Sequence, residues 1–301
     1  MSVKVVILGS AGGIPTPERN LPSILISVDG EIILLDCGEG TQRQMMIAGY
    51  SLCKKMKIFI THLHGDHILG IPGMLQSMSL LNRVHPLEIY GPKGIKEFVY
   101  KNFDICKPSF DIIVNEISEG EIFSNKKIKV IGALADHSEE NIAYSITIGA
   151  SLGKFLPEKA RELGIPEGPL WGLLKSGHSI KLENGRIVKP EEVLGEPKPG
   201  IKIVYSGDTK YCEKIVEIAK EADLLIHEAT FASDLSDRAH EEKHSTAEDA
   251  AKIAKLANVK KLVLTHISSR YKDTKILEEE ARKIFENVEI AEDFKTYDFK
   301  V

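Results

Sequence analysis

Three histidines and one aspartate fall within six residues of this sequence. The segment THLHGDH at 61–67 supplies His62, His64, Asp66 and His67. Imidazole and carboxylate groups are ligands that suit zinc in proteins. The chain has ten histidines in 301 residues, so three of them in six positions favour a metal site over a polar turn with incidental histidines.

Three later segments repeat one pattern, in which an apolar run ends at a potential ligand. They are ADH at 135–137, SGDT at 206–209 and LTH at 264–266. Each segment alone is weak evidence for a metal site, because a lone histidine or aspartate at a strand end is more often a cap or a surface group. Strand ends on one side of a sheet converge in space, so together the segments strengthen the prediction.

Seven side chains from these segments suffice for two metal ions. The predicted ligands are His62, His64 and His137 for one ion, Asp66, His67 and His266 for the other, and Asp208 as the bridge. We expect two zinc ions, although manganese or iron can occupy similar ligand sets. A water held between two such ions would become nucleophilic near neutral pH, while the ions stabilise charge on a phosphate.

Short apolar runs and helical patterns alternate along the chain and would position these residues. Strands are predicted at 3–9, 23–28, 31–36, 57–60, 87–90, 111–117, 127–135, 143–148, 201–209, 223–230 and 260–268. Helices are predicted at 41–50, 68–82, 93–103, 211–220 and 247–257, the last with a capping box at Ser245 and Glu248. Two β-rich halves favour two packed sheets with helices on both outer faces, and a doubly wound parallel sheet is the competing architecture.

A glycine- and proline-rich, charged segment at about 150–200 interrupts this rhythm. It carries the step Gly168-Pro169 and several basic residues. Among those basic residues are Lys154, Lys159, Arg161, Lys175 and Lys181. We interpret the segment as an arm inserted into a single domain that spans residues 1–301, although a charged insertion is commonly only a solvated loop.

Composition excludes some functional classes. The formal charge is −5, so nucleic-acid binding needs a local basic patch or bound metal. No apolar run approaches the roughly 18 residues that a membrane helix requires, and we expect no membrane partner. The four cysteines show no metal-binding or disulfide spacing. A basic flank and cleavage site do not precede the first apolar run, so a cytoplasmic protein is the default expectation.

The ligand motifs together resemble the metallo-β-lactamase superfamily, and within it the short form of the ribonuclease Z family of tRNA 3′-processing endonucleases. The resemblance implies a four-layer αβ/βα sandwich of the α/β (α+β) class with a protruding exosite arm. It covers nearly the whole chain. It also implies that Asp66 is both a metal ligand and the proton acceptor for the attacking water.

Two further boxes of that family are matched. HEAT at 227–230 and HST at 244–246 stand in this sequence. The resemblance implies that Glu228 orients His244, which supplies a proton to the departing 3′ oxygen of the RNA. That role is chemically reasonable, because an alkoxide is a poor leaving group unless a positioned acid protonates it. The alternative is a histidine at a helix start for His244 and a satisfied buried pair for Glu228.

Pro15, Arg19 and Asn20 resemble the family's P-x-K-x-R-N loop, which contacts the RNA 3′ end. Pro17 replaces the lysine, which puts discrimination against CCA-bearing tRNA in doubt. Arg270 is either a phosphate contact or an ordinary surface arginine. The resemblance further implies a homodimer in which the arm holds the tRNA body, often for the active site of the partner subunit.

The sequence therefore predicts a zinc-dependent endoribonuclease that removes the 3′ trailer from precursor tRNA by attack of metal-activated hydroxide and leaves a 3′-hydroxyl. A small-molecule phosphodiesterase, or another hydrolase of the superfamily, is the first alternative. An RNA-binding or assembly subunit with a degenerate site is the second. The arm and His244 argue against the first alternative, and the complete ligand set argues against the second.

Overall fold

Strand β1 (Ser2–Gly9) is apolar on both of its faces. Val5 and Ile7 pack into one cluster, whereas Val6 and Leu8 pack into another on the opposite side. Successive side chains of a strand point to opposite faces, so a strand of this kind must be covered on both sides. The sheet that contains β1 therefore lies between two apolar layers.

The computed structural model describes residues 1–138 and 140–301. The remaining strands of the first half are β2 (Ala11–Gly12), β3 (Ser23–Val28), β4 (Glu31–Leu35), β5 (Met56–Phe59), β6 (Leu87–Gly91), β7 (Ile112–Glu116), β8 (Gly120–Ser124), β9 (Ile128–Ala135) and β10 (Asn141–Ile148). Those of the second half are β11 (Ile180–Lys181), β12 (Ile187–Val188), β13 (Ile201–Tyr205), β14 (Leu224–Glu228), β15 (Leu262–Thr265), β16 (Ile267–Ser268), β17 (Val288–Ile290) and β18 (Thr296–Lys300).

Two seven-stranded sheets form the body of the protein. The first has the order β18-β1-β3-β4-β5-β6-β7 and is parallel from β4 to β7. The second has the order β17-β15-β14-β13-β10-β9-β8 and is parallel from β13 to β17. In each sheet the parallel strands end on one side, where loops that carry polar residues begin.

Helices cover the outer face of each sheet. The helices of the described residues are α1 (Thr41–Ile47), α2 (Gly65–Ile68), α3 (Gly70–Leu80), α4 (Ile95–Lys101), α5 (Phe103–Cys106), α6 (Pro157–Glu162), α7 (Pro169–Lys175), α8 (Glu213–Ala219), α9 (Ser236–Glu241), α10 (Ala247–Leu256) and α11 (Lys275–Arg282). Helices α6 and α7 do not cover a sheet but lie in the segment between β10 and β13. Helices α1, α3, α4 and α5 share an apolar cluster with the first sheet, and α8, α10 and α11 share one with the second. A third cluster fills the space between the sheets. This is the predicted αβ/βα sandwich, and the doubly wound single sheet is excluded.

The segment between β10 and β13 forms an arm with a small core of its own. The buried apolar residues of this core are Ala160, Ile165, Leu174, Ile180, Val188 and Val193. Trp171 packs against Phe155 at 5.0 Å between ring centroids and donates a hydrogen bond to the Ile165 carbonyl. Isolated bridges at Ser151↔Lys198 and Phe155↔Leu194 close the base of the arm. Trp171 therefore docks on the arm itself.

The capping residue of α10 differs from the prediction. Thr246 is the N-cap, and it forms the capping box with Asp249. Ser245 is not available for capping, because its amide donates to Glu228 and its hydroxyl donates to the Thr209 carbonyl. Among the described residues, no helix is long and apolar enough to cross a membrane.

Candidate metal centre and active site

Each predicted ligand follows a strand on the same side of the sandwich. His62 lies three residues after β5, His64 is the N-cap of α2, and Asp66 and His67 lie within that helix. The remaining three follow strands of the second sheet. His137 follows β9, Asp208 follows β13, and His266 follows β15. The strand ends of two different sheets thus meet at one place.

The structure brings these seven side chains together in two groups that share Asp208. One group contains His62, His64, His137 and Asp208, and the other contains Asp66, His67, Asp208 and His266. In each group the candidate ligand atoms all lie within 4.8 Å of one another. The division into two groups with a common carboxylate matches the predicted ligand sets.

Distances within the groups suit donors around a common ion. Asp208 Oδ2 lies 3.6 Å from His62 Nε2 and 3.2 Å from both His67 Nε2 and His266 Nε2. Asp66 Oδ2 lies 3.4 Å from His266 Nε2. Metal–nitrogen bonds of about 2.0–2.1 Å in a tetrahedral shell place neighbouring ligand atoms roughly 3.3 Å apart.

Buried polar atoms without partners also point to metal. Within the part of the chain that the structure describes, His62 Nε2, His67 Nε2 and Asp208 Oδ1 are buried and accept or donate no hydrogen bond. An unpaired buried polar group costs on the order of 1–3 kcal/mol, so three at one point call for a bound partner. The donor set therefore fits divalent metal.

Hydrogen bonds from threonine hydroxyls set the tautomers of two ligands. Thr61 donates to Asp36 and lies 2.9 Å from His62 Nδ1, so it accepts the Nδ1 proton. Thr230 donates to Glu228 in the same way and lies 2.8 Å from Nδ1 of His266. Both imidazoles are left with an unprotonated Nε2 that faces the centre, as metal ligation requires.

The other histidines are oriented by different partners. His137 Nδ1 lies 2.9 Å from the Lys243 carbonyl, so its Nε2 faces inward. His64 is turned the other way, because its Nδ1 lies 3.2 Å from His137 Nε2. His67 Nδ1 lies 2.7 Å from the Asp36 carboxylate.

Asp36 is a buried residue whose carboxylate accepts several hydrogen bonds, and the sequence analysis did not identify it as part of the site. Its carboxylate also accepts hydrogen bonds from the Thr61 amide at 2.8 Å and from the Tyr205 hydroxyl at 2.9 Å. Asp36 has φ of 57°, a conformation that aspartate adopts more readily than most residues. This carboxylate therefore fixes His67 directly and His62 through Thr61. The one signal in the sequence was an aspartate at the end of a buried strand.

The electrostatics of the cluster follow from burial and mutual charge. Burial acts to raise the pKa of Asp208, but the imidazoles of His266 and His67 outweigh it and hold that pKa well below its usual range. Burial and the neighbouring His67 lower the pKa of His62 well below 6.5. The ionised Asp208 and the neutral His62 are in the protonation states in which these side chains bind metal. Burial acts to lower the pKa of His67, but the charges of Asp208 and Asp36 raise it well above 6.5, so metal binding would displace a proton from His67.

Glu228 and His244 form a hydrogen-bonded pair beside the predicted metal ligands. His244 Nδ1 lies 2.8 Å from Glu228 Oε1, and the His244 ring lies 4.6 Å from the ring of His137. Burial opposes ionisation of His244, but the charge of Glu228 raises its pKa to about 9. Amides of Thr209 and Ser245 also donate to Glu228, which is fully buried. The pair holds a proton on an imidazole that faces the site.

His227, the first residue of the matched box, does not face the site. It is buried, its Nδ1 lies 2.8 Å from the Glu228 carbonyl, and burial lowers its pKa. Its position in β14 points it away from Glu228, because neighbouring residues of a strand face opposite sides.

The predicted substrate residues have different surroundings. The Arg19 guanidinium donates to Ser10 Oγ at the start of its own loop and to the Ala291 carbonyl just after β17. Asn20 Nδ2 donates to the Glu39 carbonyl. Arg270 is exposed, and its guanidinium lies 4.9 Å from the centroid of the Phe231 ring. Arg270 thus faces solvent, whereas Arg19 and Asn20 hold the loop in place.

Asp293 anchors the same loop and was not predicted. Its carboxylate accepts hydrogen bonds from Ser10 Oγ at 2.7 Å, from the Asn20 amide at 2.7 Å and from Gln44 Nε2 at 3.0 Å. The loop also reaches the predicted metal ligands, because the Gly13 amide donates to Asp66 Oδ2 at 3.0 Å.

Known proteins resemble this chain over almost its whole length. A ribonuclease Z of Methanothermobacter thermautotrophicus is 46% identical over 300 residues, which cover 99% of this chain and 97% of that protein. A ribonuclease Z of Methanosarcina mazei is 45% identical over 295 residues, 97% of this chain and 96% of that protein. This chain belongs to the ribonuclease Z family.

Solved structures agree with this membership. The crystal structure of human tRNase Z, short form, aligns with a TM-score of 0.70 and 29% identity over 98% of both chains. A metallo-β-lactamase fold protein from Bacillus subtilis aligns with a TM-score of 0.73 over 99% of both chains, and at 21% identity it supports the fold alone. Family models match two parts of the chain. The beta-lactamase superfamily domain matches 192–267, and the model of Anti-Pycsar protein Apyc1 matches 3–104.

Proposed function

We propose that this member of the ribonuclease Z family is a metal-dependent endoribonuclease that removes the 3′ trailer from precursor tRNA and leaves a 3′-hydroxyl. The observation that carries the proposal is the pair of Glu228 and His244 beside a group of seven metal-binding side chains. The relatives named ribonuclease Z support the same activity. A site of this kind can attack a phosphodiester and protonate the oxygen that leaves.

We propose two divalent ions as cofactors, most suitably zinc. Five of the seven donors are imidazoles, and this donor chemistry favours zinc over magnesium or calcium. His62, His64 and His137 would hold one ion, Asp66, His67 and His266 would hold the other, and Asp208 lies in both groups. When bound, the ions would make water nucleophilic near neutral pH and stabilise charge on the phosphate.

His244 is the proposed proton donor, and Glu228 is its positioning residue. Glu228 Oε1 holds the proton on His244 Nδ1, so the ring presents Nε2 toward the site. A protonated imidazole there can transfer its Nε2 proton to the departing 3′ oxygen. Glu228 stays ionised during this transfer, because it accepts hydrogen bonds from three amides, a hydroxyl and the imidazole.

Asp66 is the proposed proton acceptor for the attacking water. It is the most exposed carboxylate of the ligand set, with 14% of its side chain exposed against 3% for Asp208. Its Oδ2 lies toward His67 and His266, and the Gly13 amide also donates to this oxygen. A carboxylate at the open side of the centre can take a proton from water.

We propose that residues 1–301 form one domain with the arm inserted at about 150–200. The support is that the two strands that flank the arm, β10 and β13, pair directly in one sheet. The arm leaves the sheet after Ile148, whereas the metal ligands lie beyond the other end of β10. Eight residues of strand span roughly 23 Å, so the root of the arm is far from the site of its own subunit.

We therefore propose a homodimer in which the arm of each subunit holds tRNA for the site of the other. The arm brings Lys154, Lys159, Lys175 and Lys181 to the surface for phosphate contacts, which supply most of non-specific RNA affinity. Sedimentation of the free protein and of a complex with tRNA would test the stoichiometry. A monomer that cleaves precursor tRNA at full rate would contradict the dimer.

Cleavage-site mapping on one precursor tRNA tests the function. Metal-loaded wild type should cut after the discriminator nucleotide, and Asp66→Ala and His244→Ala should each lower kcat by about 10²–10⁴-fold. Lys129→Ala is a suitable control, because Lys129 lies in an exposed ion pair with Glu121 away from the site. Wild type that fails to cut precursor tRNA but hydrolyses a small chromogenic phosphodiester would refute the proposal in favour of a small-molecule hydrolase.

A further inference from the structure

Two lysines share one aspartate beside the metal centre. Lys210 Nζ lies 3.0 Å from Asp136 Oδ2, and Lys243 Nζ lies 3.5 Å from Asp136 Oδ1. All three side chains are partly exposed, with 38% for Lys210, 50% for Lys243 and 42% for Asp136. Two ammonium groups around one carboxylate leave one net positive charge at the surface.

The backbone places this cluster at the edge of the site. Asp136 precedes His137, Lys243 precedes His244, and Lys210 follows Asp208 by two residues. Three loops of the site therefore each contribute one member of the cluster. Glu242, the acidic residue next to Lys243 in the sequence, pairs with Arg238 at 2.7 Å.

The ion pairs are not needed to hold these loops together. The Asp136 amide donates to Thr209 Oγ1 at 3.1 Å, and the Lys210 amide donates to the Asp136 carbonyl at 3.1 Å. The Lys243 carbonyl accepts from His137 Nδ1. Exposed ion pairs contribute only about 0–1 kcal/mol, so the backbone contacts dominate the local geometry. The lysine ammonium groups are then free to serve another purpose.

We propose that Lys210 and Lys243 bind a phosphodiester of the RNA next to the one that is cut, and that Asp136 occupies their ammonium groups when RNA is absent. The inference rests on the proposed function. The chain has a formal charge of −5, so a polyanion must find local positive charge near the cleavage point. A phosphate competes with the Asp136 carboxylate for both lysines, and this competition limits the affinity of the lysines for RNA.

This arrangement predicts opposite effects for neighbouring substitutions. Lys210→Ala and Lys243→Ala should each raise KM for precursor tRNA by on the order of threefold to tenfold. Each should also reduce the dependence of KM on salt concentration by the amount expected for the loss of about one phosphate contact. Asp136→Asn should lower KM, because the competing charge is removed while the side chain keeps its size. Lys210→Arg should stay near wild type in KM. In each variant kcat should change little.

The experiment is steady-state cleavage of one precursor tRNA by the metal-loaded enzyme over a series of salt concentrations. Lys127→Ala and Asp29→Asn are the matched controls. Lys127 and Asp29 form an ion pair with similar exposure, 56% and 40%, at the ends of β9 and β3 that lie away from the site. Neither control should change KM. A competition experiment with mature tRNA shows which phosphate of the precursor the two lysines bind. Weaker inhibition of the lysine variants by mature tRNA assigns it to the acceptor stem, and unchanged inhibition assigns it to the trailer.

A rise in KM or a fall in kcat for Asp136→Asn would overturn the inference, since the cluster would then be a structural brace. Unchanged KM in both lysine variants would overturn it as well. Wild type that does not cut precursor tRNA would instead refute the proposed function. The two failures are therefore distinguishable.

Discussion

Replacement of Asp36 by asparagine should weaken metal binding although Asp36 touches no metal. The carboxylate receives His67 Nδ1, the Tyr205 hydroxyl and both polar groups of Thr61. Every one of these partners is a donor, and an asparagine amide can place an oxygen at only one of the two positions. If the NH₂ group faces His67, it forces the proton onto Nε2, and that nitrogen can no longer bind metal.

The size of the effect follows from this contact. Loss of a carboxylate that orients a ligating histidine typically costs tenfold to a hundredfold in metal affinity, which is about 1.4–2.8 kcal/mol. Asparagine keeps the volume of the side chain and tolerates φ of 57° well. Asp36→Asn thus changes the hydrogen bonds and charge without adding a cavity or backbone strain.

The assay is metal content after dialysis against chelators of graded affinity, together with cleavage rate as a function of free metal concentration. Tyr205→Phe is the matched control, because it removes one hydrogen bond at 2.9 Å from the same carboxylate and leaves His67 paired. It should cost about 0.5–1.5 kcal/mol in unfolding free energy and leave metal affinity nearly unchanged. Equal metal retention by Asp36→Asn and wild type would refute the reasoning.

Three further substitutions test other parts of the structure. Thr230→Val should lower metal affinity because the hydroxyl that links Glu228 to His266 is lost, whereas Thr230→Ser should retain it; equal metal content in the two variants would contradict this. Asp293→Ala should cost about 1–3 kcal/mol in unfolding free energy because Ser10, Asn20 and Gln44 lose their acceptor, and it should raise KM for tRNA more than it changes kcat on a small phosphodiester. Leu174→Ala should destabilise the arm core by about 2–5 kcal/mol and weaken tRNA binding in a gel-shift assay, with hydrolysis of a small phosphodiester unchanged.

Several strands that complete the sheets were not predicted. Strand β18 pairs with β1 across almost the whole chain length, and β17 extends the second sheet beside β15. Helix α11, which packs on α10, was also missed. The runs that form β17 and β18 are short and half-polar, so their own residues carry little strand signal. Their conformation is decided by the partner strand rather than by local pattern.

The sequence alone predicted the set of candidate metal-binding residues that the structure brings together. Histidine and aspartate seldom cluster in this way in a sequence. Each of these residues also follows an apolar run that predicts a strand from its own residues, so the positions of His62, His137, Asp208 and His266 after strand ends could be predicted directly. Ligand chemistry belongs to the side chain itself. No knowledge of the fold is needed to recognise it.

Only the tertiary structure decided how those ligands are oriented. Asp36 and His67 are 31 residues apart, and Thr230 and His266 are 36 apart, yet each pair is within hydrogen-bond distance. Lys243 holds His137 through its backbone carbonyl, a group that every residue possesses. Apart from the position of Asp36 at the end of a buried strand, these groups carry no signal in the sequence, because their role arises from the neighbours that folding supplies.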